Sequence, residues 1–171
     1  MDPTRLSQYL RRGDDPELRR RRWVIGLSVL GTTAGQLVAL YQTGIIRHLP
    51  DPPSGGLFDS DRVDASEYAY SRFSSPDAPL MIITYGVTAW LAGAGGPDRP
   101  RNAPWLPIAM AAKTLYDAAT TVKLAREEWQ ENRAFCAYCQ TATLASFASV
   151  VFALPEAVRA TRHLLGRGEP G

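Results

Sequence analysis

The sequence predicts an all-α fold: an integral membrane four-helix bundle with a long outer loop between its first and second helices. Three observations predict it. Residues 23–46 contain no charged side chain, and at about 1.5 Å rise per residue such a run crosses a hydrocarbon core about 30 Å thick. Three further apolar stretches follow at 79–94, 106–124 and 135–154. Arginine is spread unevenly around these stretches, gathered at the two ends and in one connection. The length of 171 residues suits one domain, and a net charge of +2 from 19 basic and 17 acidic residues says little about partners. A mean hydropathy of −0.18 would by itself describe a soluble helical protein, but polar ends and loops dilute the apolar segments.

Residues 1–22 form a basic cytoplasmic N-terminal segment that closes on Arg19, Arg20, Arg21 and Arg22. A basic run of this kind can mark nucleic-acid binding. Its place directly before an apolar run favours a membrane-orienting flank instead, and no nucleic-acid partner is expected. The run at 23–46 is too long for the apolar core of a signal peptide, and Leu40-Tyr41-Gln42-Thr43 is a poor cleavage site. It is an uncleaved first span.

Residues 47–78 connect the first two spans. Pro50, Pro52, Pro53, Gly55 and Gly56 forbid regular structure in the first half. A short amphipathic helix is expected over 61–72, with Val63, Tyr70 and Phe73 as its apolar contacts. The second span, 79–94, starts at Pro79 and ends at Gly95-Gly96-Pro97. The third, 106–124, carries Lys113 and Asp117 four residues apart. A charge at mid-bilayer costs about 2.5–3.5 kcal/mol on insertion scales, so the pair is expected to face the bundle interior and neutralise itself. A short charged turn is expected at 126–133, with Trp129 as an interfacial anchor. The fourth span is expected to end at Pro155-Glu156, leaving 156–171 as a polar cytoplasmic tail.

Four crossings place both termini and the 95–105 turn on one side. That side collects the N-terminal arginines with Arg99, Arg101, Arg159, Arg162 and Arg167, whereas Arg47, Arg62, Arg72, Arg126 and Arg133 fall opposite, outnumbered by acids. The positive-inside rule then puts both termini in the cytoplasm and residues 136–139 at the outer face. The oxidising side of a membrane is where thiol–disulfide chemistry operates.

Cys136 and Cys139 are the only cysteines. Three residues apart on a helix, they share one face within reach of a disulfide, and the helix N-terminus offers partial positive charge to a thiolate. Zinc asks for four ligands. The histidines available, His48 and His163, fall on opposite sides of the membrane, so no metal is expected. A pair of inert buried thiols is the remaining alternative.

Phe135-Cys136-Ala137-Tyr138-Cys139 opening the fourth helix, Asp61-Arg62-Val63 leading to Ser66 in the outer loop, and Tyr85 in the second helix occur in an order and spacing that resembles the vitamin K epoxide reductase family over residues 23–155. The resemblance implies a membrane thiol–disulfide oxidoreductase that passes electrons from protein thiols to a quinone, of menaquinone or ubiquinone type, held within the bundle. It implies that Cys139 meets the quinone and that Cys136 exchanges disulfides with a thioredoxin-like protein on the outer side. Ser66 and Asp77 would lie at the quinone pocket. Thr143 stands where a tyrosine is sometimes found and keeps one hydrogen-bond donor. The chain departs from the pattern in its loop. Family members usually carry two shuttle cysteines there, whereas here Ser60 precedes Asp61-Arg62-Val63 and no further cysteine exists. A hydroxyl forms no disulfide, so a non-catalytic relative that binds a quinone or a partner without turnover is the alternative reading.

Overall fold

The computed structural model describes residues 2–53, 55–72 and 74–166. Phe73 and Arg167, invoked above, lie outside them. The architecture is all-α, with no strand among the described residues. Helices α1 (Pro3–Arg12), α2 (Pro16–Gln42), α3 (Ser60–Asp64), α4 (Glu67–Tyr70), α5 (Ala78–Gly93), α6 (Arg99–Asn102), α7 (Trp105–Asn132) and α8 (Ala137–Gly166) follow in chain order. The long helices α2, α5, α7 and α8 form the bundle. Helix α2 packs along α5 and α8, α8 packs along α7, and α5 meets α7 only lightly. Helices α2 and α8 are long and apolar enough to cross a membrane; α5 is apolar but shorter.

The first long helix starts earlier than the hydropathy suggests. Asp15 caps it by accepting the Leu18 N–H at 2.9 Å, and Pro16 takes the first helical position, where its missing N–H is harmless. The basic run is therefore helical, and Arg21 is no solvated flank. Its side chain is buried, with Nε donating to the Ala92 carbonyl at 2.7 Å and Nη2 to those of Ala94 and Gly95 at 3.0 and 2.9 Å. Arg99 reaches the same helix end, donating to the Leu91 and Ala94 carbonyls and pairing with Glu156 at 2.5 Å. Two guanidinium groups thus satisfy the free carbonyls that close α5, at the negative end of its dipole.

Where α2 and α5 cross, Gly31 and Gly35 on α2 let the helices close up. A Cβ at Gly31 would stand 2.4 Å from the Tyr85 ring, and one at Gly35 would stand 2.8 Å from the Met81 methyl. This small-x-x-x-small spacing is a means of close helix approach in membranes.

Three expected boundaries are corrected. The 61–72 segment forms two short helices, α3 and α4, not one. Residues 126–132 are the last turns of α7 and not a turn; Arg133, in the left-handed region at φ 52°, ends the helix and makes the corner. Helix α8 does not close at Pro155 but continues to Gly166 with the proline inside. A proline there forfeits one main-chain hydrogen bond, and the next residue, Glu156, is held by Arg99 from outside the helix. As expected, Lys113 and Asp117 pair, at 2.6 Å, and Thr88 of α5 contributes a hydroxyl to the same carboxylate.

Candidate functional site

The site forms where the connection from α2 to α5 lies across the start of α8. The loop is held there by its own acids. Asp61 accepts the Leu49 N–H at 2.7 Å and meets His48 at 2.5 Å, while Asp51 accepts both the N–H and the hydroxyl of Ser60, at 2.7 and 2.6 Å. Phe58 and Phe135 pair as a single parallel bridge, with Phe135 N–H donating to Leu57 and Asp59 N–H donating back to Phe135. The Ser60 hydroxyl accepts the Ala137 N–H at 3.0 Å, and the Tyr138 hydroxyl donates to the Pro50 carbonyl.

Cys136 sits immediately before α8 in the capping position. Its Sγ accepts the N–H of Cys139 at 3.2 Å, in the manner of a capping side chain reaching the third helical residue. Its own N–H donates to the Glu128 carboxylate, which also accepts from Gln140 Nε2 at 3.1 Å. Cys136 has no exposed surface, being packed with Leu49 and Val63 of the loop. Cys139 faces inward. The Sγ atoms of both cysteines and a carboxylate oxygen of Asp64 lie within 4.8 Å of one another, with Cys139 Sγ 4.0 Å from Asp64 Oδ1. These three groups supply fewer than the four donors of a closed tetrahedral metal site.

Beneath the cysteines is a cavity of about 210 Å³ between α5 and α7, with α8 along one side and the loop over its top. Cys139, Asp64 and Glu128 line its upper part; Val38, Leu80 and Leu124 give it apolar walls. The structure brings Asp77 and Thr143 to this cavity and does not bring Ser66. Asp77 accepts Gln42 Nε2 at 2.9 Å and Arg72 Nη1 at 3.2 Å, and burial raises its pKa. Thr143 donates to the Cys139 carbonyl at 2.9 Å. Ser66 turns back to donate to the Val63 carbonyl at 2.6 Å, a local turn contact within the loop. Tyr85 is on the cavity wall, its hydroxyl bonded to the Ala142 carbonyl at 2.5 Å and Ser146 at 2.8 Å.

Sequence reasoning missed the two carboxylates nearest the thiols. Asp64 is buried, and its Oδ2 has no hydrogen-bond partner. Desolvation pushes its pKa up to about 7, with Asp77, Asp51 and Asp61 adding to the rise and a hydrogen bond from Cys136 opposing it. Glu128 is also pushed up to about 7, again chiefly by desolvation, against the hydrogen bond from the Cys136 N–H. Asp64 was legible only as one of six loop acids. Glu128 lies eight residues before Cys136, and only the Arg133 corner folds it back beneath the thiol.

Arg72 closes the loop side of the cavity. It spans Asp77 and Glu127, each at 3.2 Å, and its guanidinium lies over the Tyr68 ring at 4.8 Å. The Tyr68 hydroxyl donates to the Leu124 carbonyl of α7.

A family model described as the vitamin K epoxide reductase family matches residues 22–154. No curated protein and no solved structure matches the chain. The matched region runs from Arg22 of α2, next to the buried Arg21, to Leu154 of α8, and so takes in the whole cavity, the loop above it and both cysteines. The chain belongs to the vitamin K epoxide reductase family, a family of membrane redox enzymes.

Proposed function

We propose that the chain is a thiol–disulfide oxidoreductase that couples the Cys136–Cys139 dithiol or disulfide to a quinone of menaquinone or ubiquinone type, and exchanges with a thioredoxin-like protein on the outer side of the membrane. One observation carries this reading. Cys139 forms part of the wall of a cavity inside an apolar bundle, with its redox partner Cys136 one turn away and the polar loop closed over both. A bilayer-soluble acceptor reaches such a place from the lipid, through the lightly packed side between α5 and α7.

The residues fit a quinone head group. About 210 Å³ is smaller than the usual range for drug-sized ligands, so the cavity suits a ring with its tail outside. Apolar side chains suit the ring faces, and Asp77, Arg72 and Thr143 offer polar contact to its oxygens. A bound quinone supplies two-electron, two-proton acceptor chemistry. The chain's own residues hold the thiols side by side, exclude water and keep the carboxyls of Asp64 and Glu128 against the redox pair. In this reading four crossings at 23–46, 79–94, 106–124 and 135–154 place both termini in the cytoplasm, as the arginine distribution favours.

The test uses the purified full chain in detergent, given a short-chain quinone and a reduced thioredoxin-like protein. Formation of the Cys136–Cys139 disulfide with matching loss of quinone is the expected result. Free thiols that persist under these conditions sink the proposal. A second reading, a relative that binds without turnover, is favoured by the burial of Cys136 and by Ser60 in place of a shuttle cysteine. It predicts that Cys136→Ser leaves the redox state of partner thiols in intact membranes unchanged.

A further inference from the structure

We propose that Asp64 is the proton acceptor of the redox pair, taking the Cys139 thiol proton as the disulfide closes. The inference rests on the reading of Cys136 and Cys139 as redox-active, and goes beyond it by assigning the proton path. When two thiols become a disulfide, two S–H bonds break and one S–S bond forms. The electron pair passes to the quinone acceptor, and two protons end on its oxygens. Cys136 is fully buried and Cys139 lies largely inside the bundle, so those protons need a carrier close to the thiols.

Asp64 has the required placement. The Cys139 thiol points at Oδ1 from 4.0 Å, and both thiols lie within the same 4.8 Å cluster. The other oxygen, Oδ2, is buried and bonded to nothing, although an orphaned buried carboxylate oxygen is normally avoided. Asp64 also lines the cavity, so a proton received from the thiol lies beside the space the acceptor would occupy. A separation of 4.0 Å is long for a resting hydrogen bond, but catalytic contacts commonly tighten only when the reaction complex forms.

The charged surroundings set the pH behaviour. Asp51 and Asp61 face Asp64 from the loop, Asp77 from the head of α5, Glu128 from α7, Tyr41 from α2, and the two thiols from α8. Arg72, the guanidinium lining the same cavity, is engaged by Asp77 and Glu127. Burial among acids therefore holds the carboxyl up to about 7, close to the value at which a general base works best near neutral pH. Below that pH the group is protonated and cannot accept. The oxidation rate then rises with pH through about 7 and levels off above it, where the Asp64 carboxylate is fully available.

The experiment measures the rate of Cys136–Cys139 disulfide formation in the full-length protein in detergent, from about pH 5 to about pH 9, a range spanning this titration. Two oxidants are used, a short-chain quinone and the diazene oxidant diamide. Asp64→Asn and Asp64→Leu each slow oxidation about 100-fold near neutral pH, the usual scale of general-base catalysis, and remove the inflection near 7. Asp64→Glu retains the inflection. Leucine leaves no polar atom to bury, so it guards against a folding defect specific to the amide. Either variant oxidising within about threefold of the wild type, with its inflection intact, overturns the assignment. If the wild type reacts with diamide and not with quinone, the quinone-linked reading fails while the comparison at Asp64 still stands.

Discussion

The Ser60 hydroxyl accepts the Ala137 N–H at 3.0 Å while donating to Asp51 at 2.6 Å, and so joins the outer loop to the first turn of the cysteine helix. The family resemblance places a shuttle cysteine at this position. In this chain it has become a structural latch with no exposed surface. Cys136, next to Ala137, is fully buried beside this contact, so loosening the latch is expected to expose its thiol. Ser60→Ala removes the hydroxyl partner of Asp51 Oδ1 and of the Ala137 N–H, leaving Asp51 only the backbone N–H of residue 60, at a cost of about 1–3 kcal/mol. The expected outcome is a lower thermal midpoint in detergent together with faster alkylation of Cys136 by a bulky maleimide. Faster alkylation with no change in stability would show that the latch gates access without supporting the fold.

Much of this was legible in the sequence because it rests on long-range patterns of charge and apolarity. The uncharged run from Trp23, Pro79 in the first turn of the second long helix and the paired Lys113 and Asp117 each forced a placement that the structure keeps. What escaped prediction depended on tertiary partners. Arg21 reads as part of a membrane-orienting flank until the end of α5 supplies carbonyls to receive it. Pro155 reads as a terminator, yet the helix runs on through it. Glu128 reads as part of a charged turn because nothing local reveals that α7 continues to Asn132. At the site, the spacing of the cysteines drew attention to them, while Asp77 and Thr143 came only from the family resemblance; Cys139, Asp77 and Thr143 line one cavity. The third residue of that resemblance, Ser66, is not among the cavity-lining residues, and its hydroxyl finds its partner three residues back.

Glu128 makes stability depend on pH. Its pKa is raised from 4.5 to about 7 in the folded protein, so between those values the native state binds more protons than the unfolded chain. Its contribution is complete below the unfolded value and is lost as pH rises through about 7. The full excursion is of the order of 3 kcal/mol at most, and Asp64 adds a slope of the same sign. Glu128→Gln, followed by thermal unfolding across this range, should flatten the decline without abolishing it. An unaltered slope would mean that the carboxyl is already ionised when folded.

Arg99 and Glu156 form a buried ion pair at the end of the bundle away from the thiols, with side chains 1% and 3% exposed. Removing one partner of such a pair leaves the other charge buried, typically at about 3–5 kcal/mol. Arg99→Ala should destabilise more than Glu156→Ala, because Arg99 also closes the carbonyls of Leu91 and Ala94. Replacing both with Met and Leu should recover part of the loss, as seen in a double-mutant cycle of thermal midpoints. Full recovery would assign no stabilising role to the carbonyl contacts.

Gly31 and Tyr85 set how closely α2 and α5 approach, and through Tyr85 the shape of the cavity. A methyl group at position 31 would come within 2.4–2.7 Å of three ring carbons, and a ring cannot yield as a flexible chain would. Gly31→Ala should therefore cost about 1–3 kcal/mol, the range for overpacking a filled core. It should also pull the Tyr85 hydroxyl from the Ala142 carbonyl and Ser146. Gly26→Ala on the same helix meets nothing within 4 Å and is the control, expected to be neutral or stabilising by up to about 1 kcal/mol through helix propensity. If the cavity is the quinone site, Gly31→Ala raises the KM for a short-chain quinone, whereas diamide oxidation of the thiols is unaffected. Equal slowing with both oxidants would place the damage at the cysteines and not at the cavity wall.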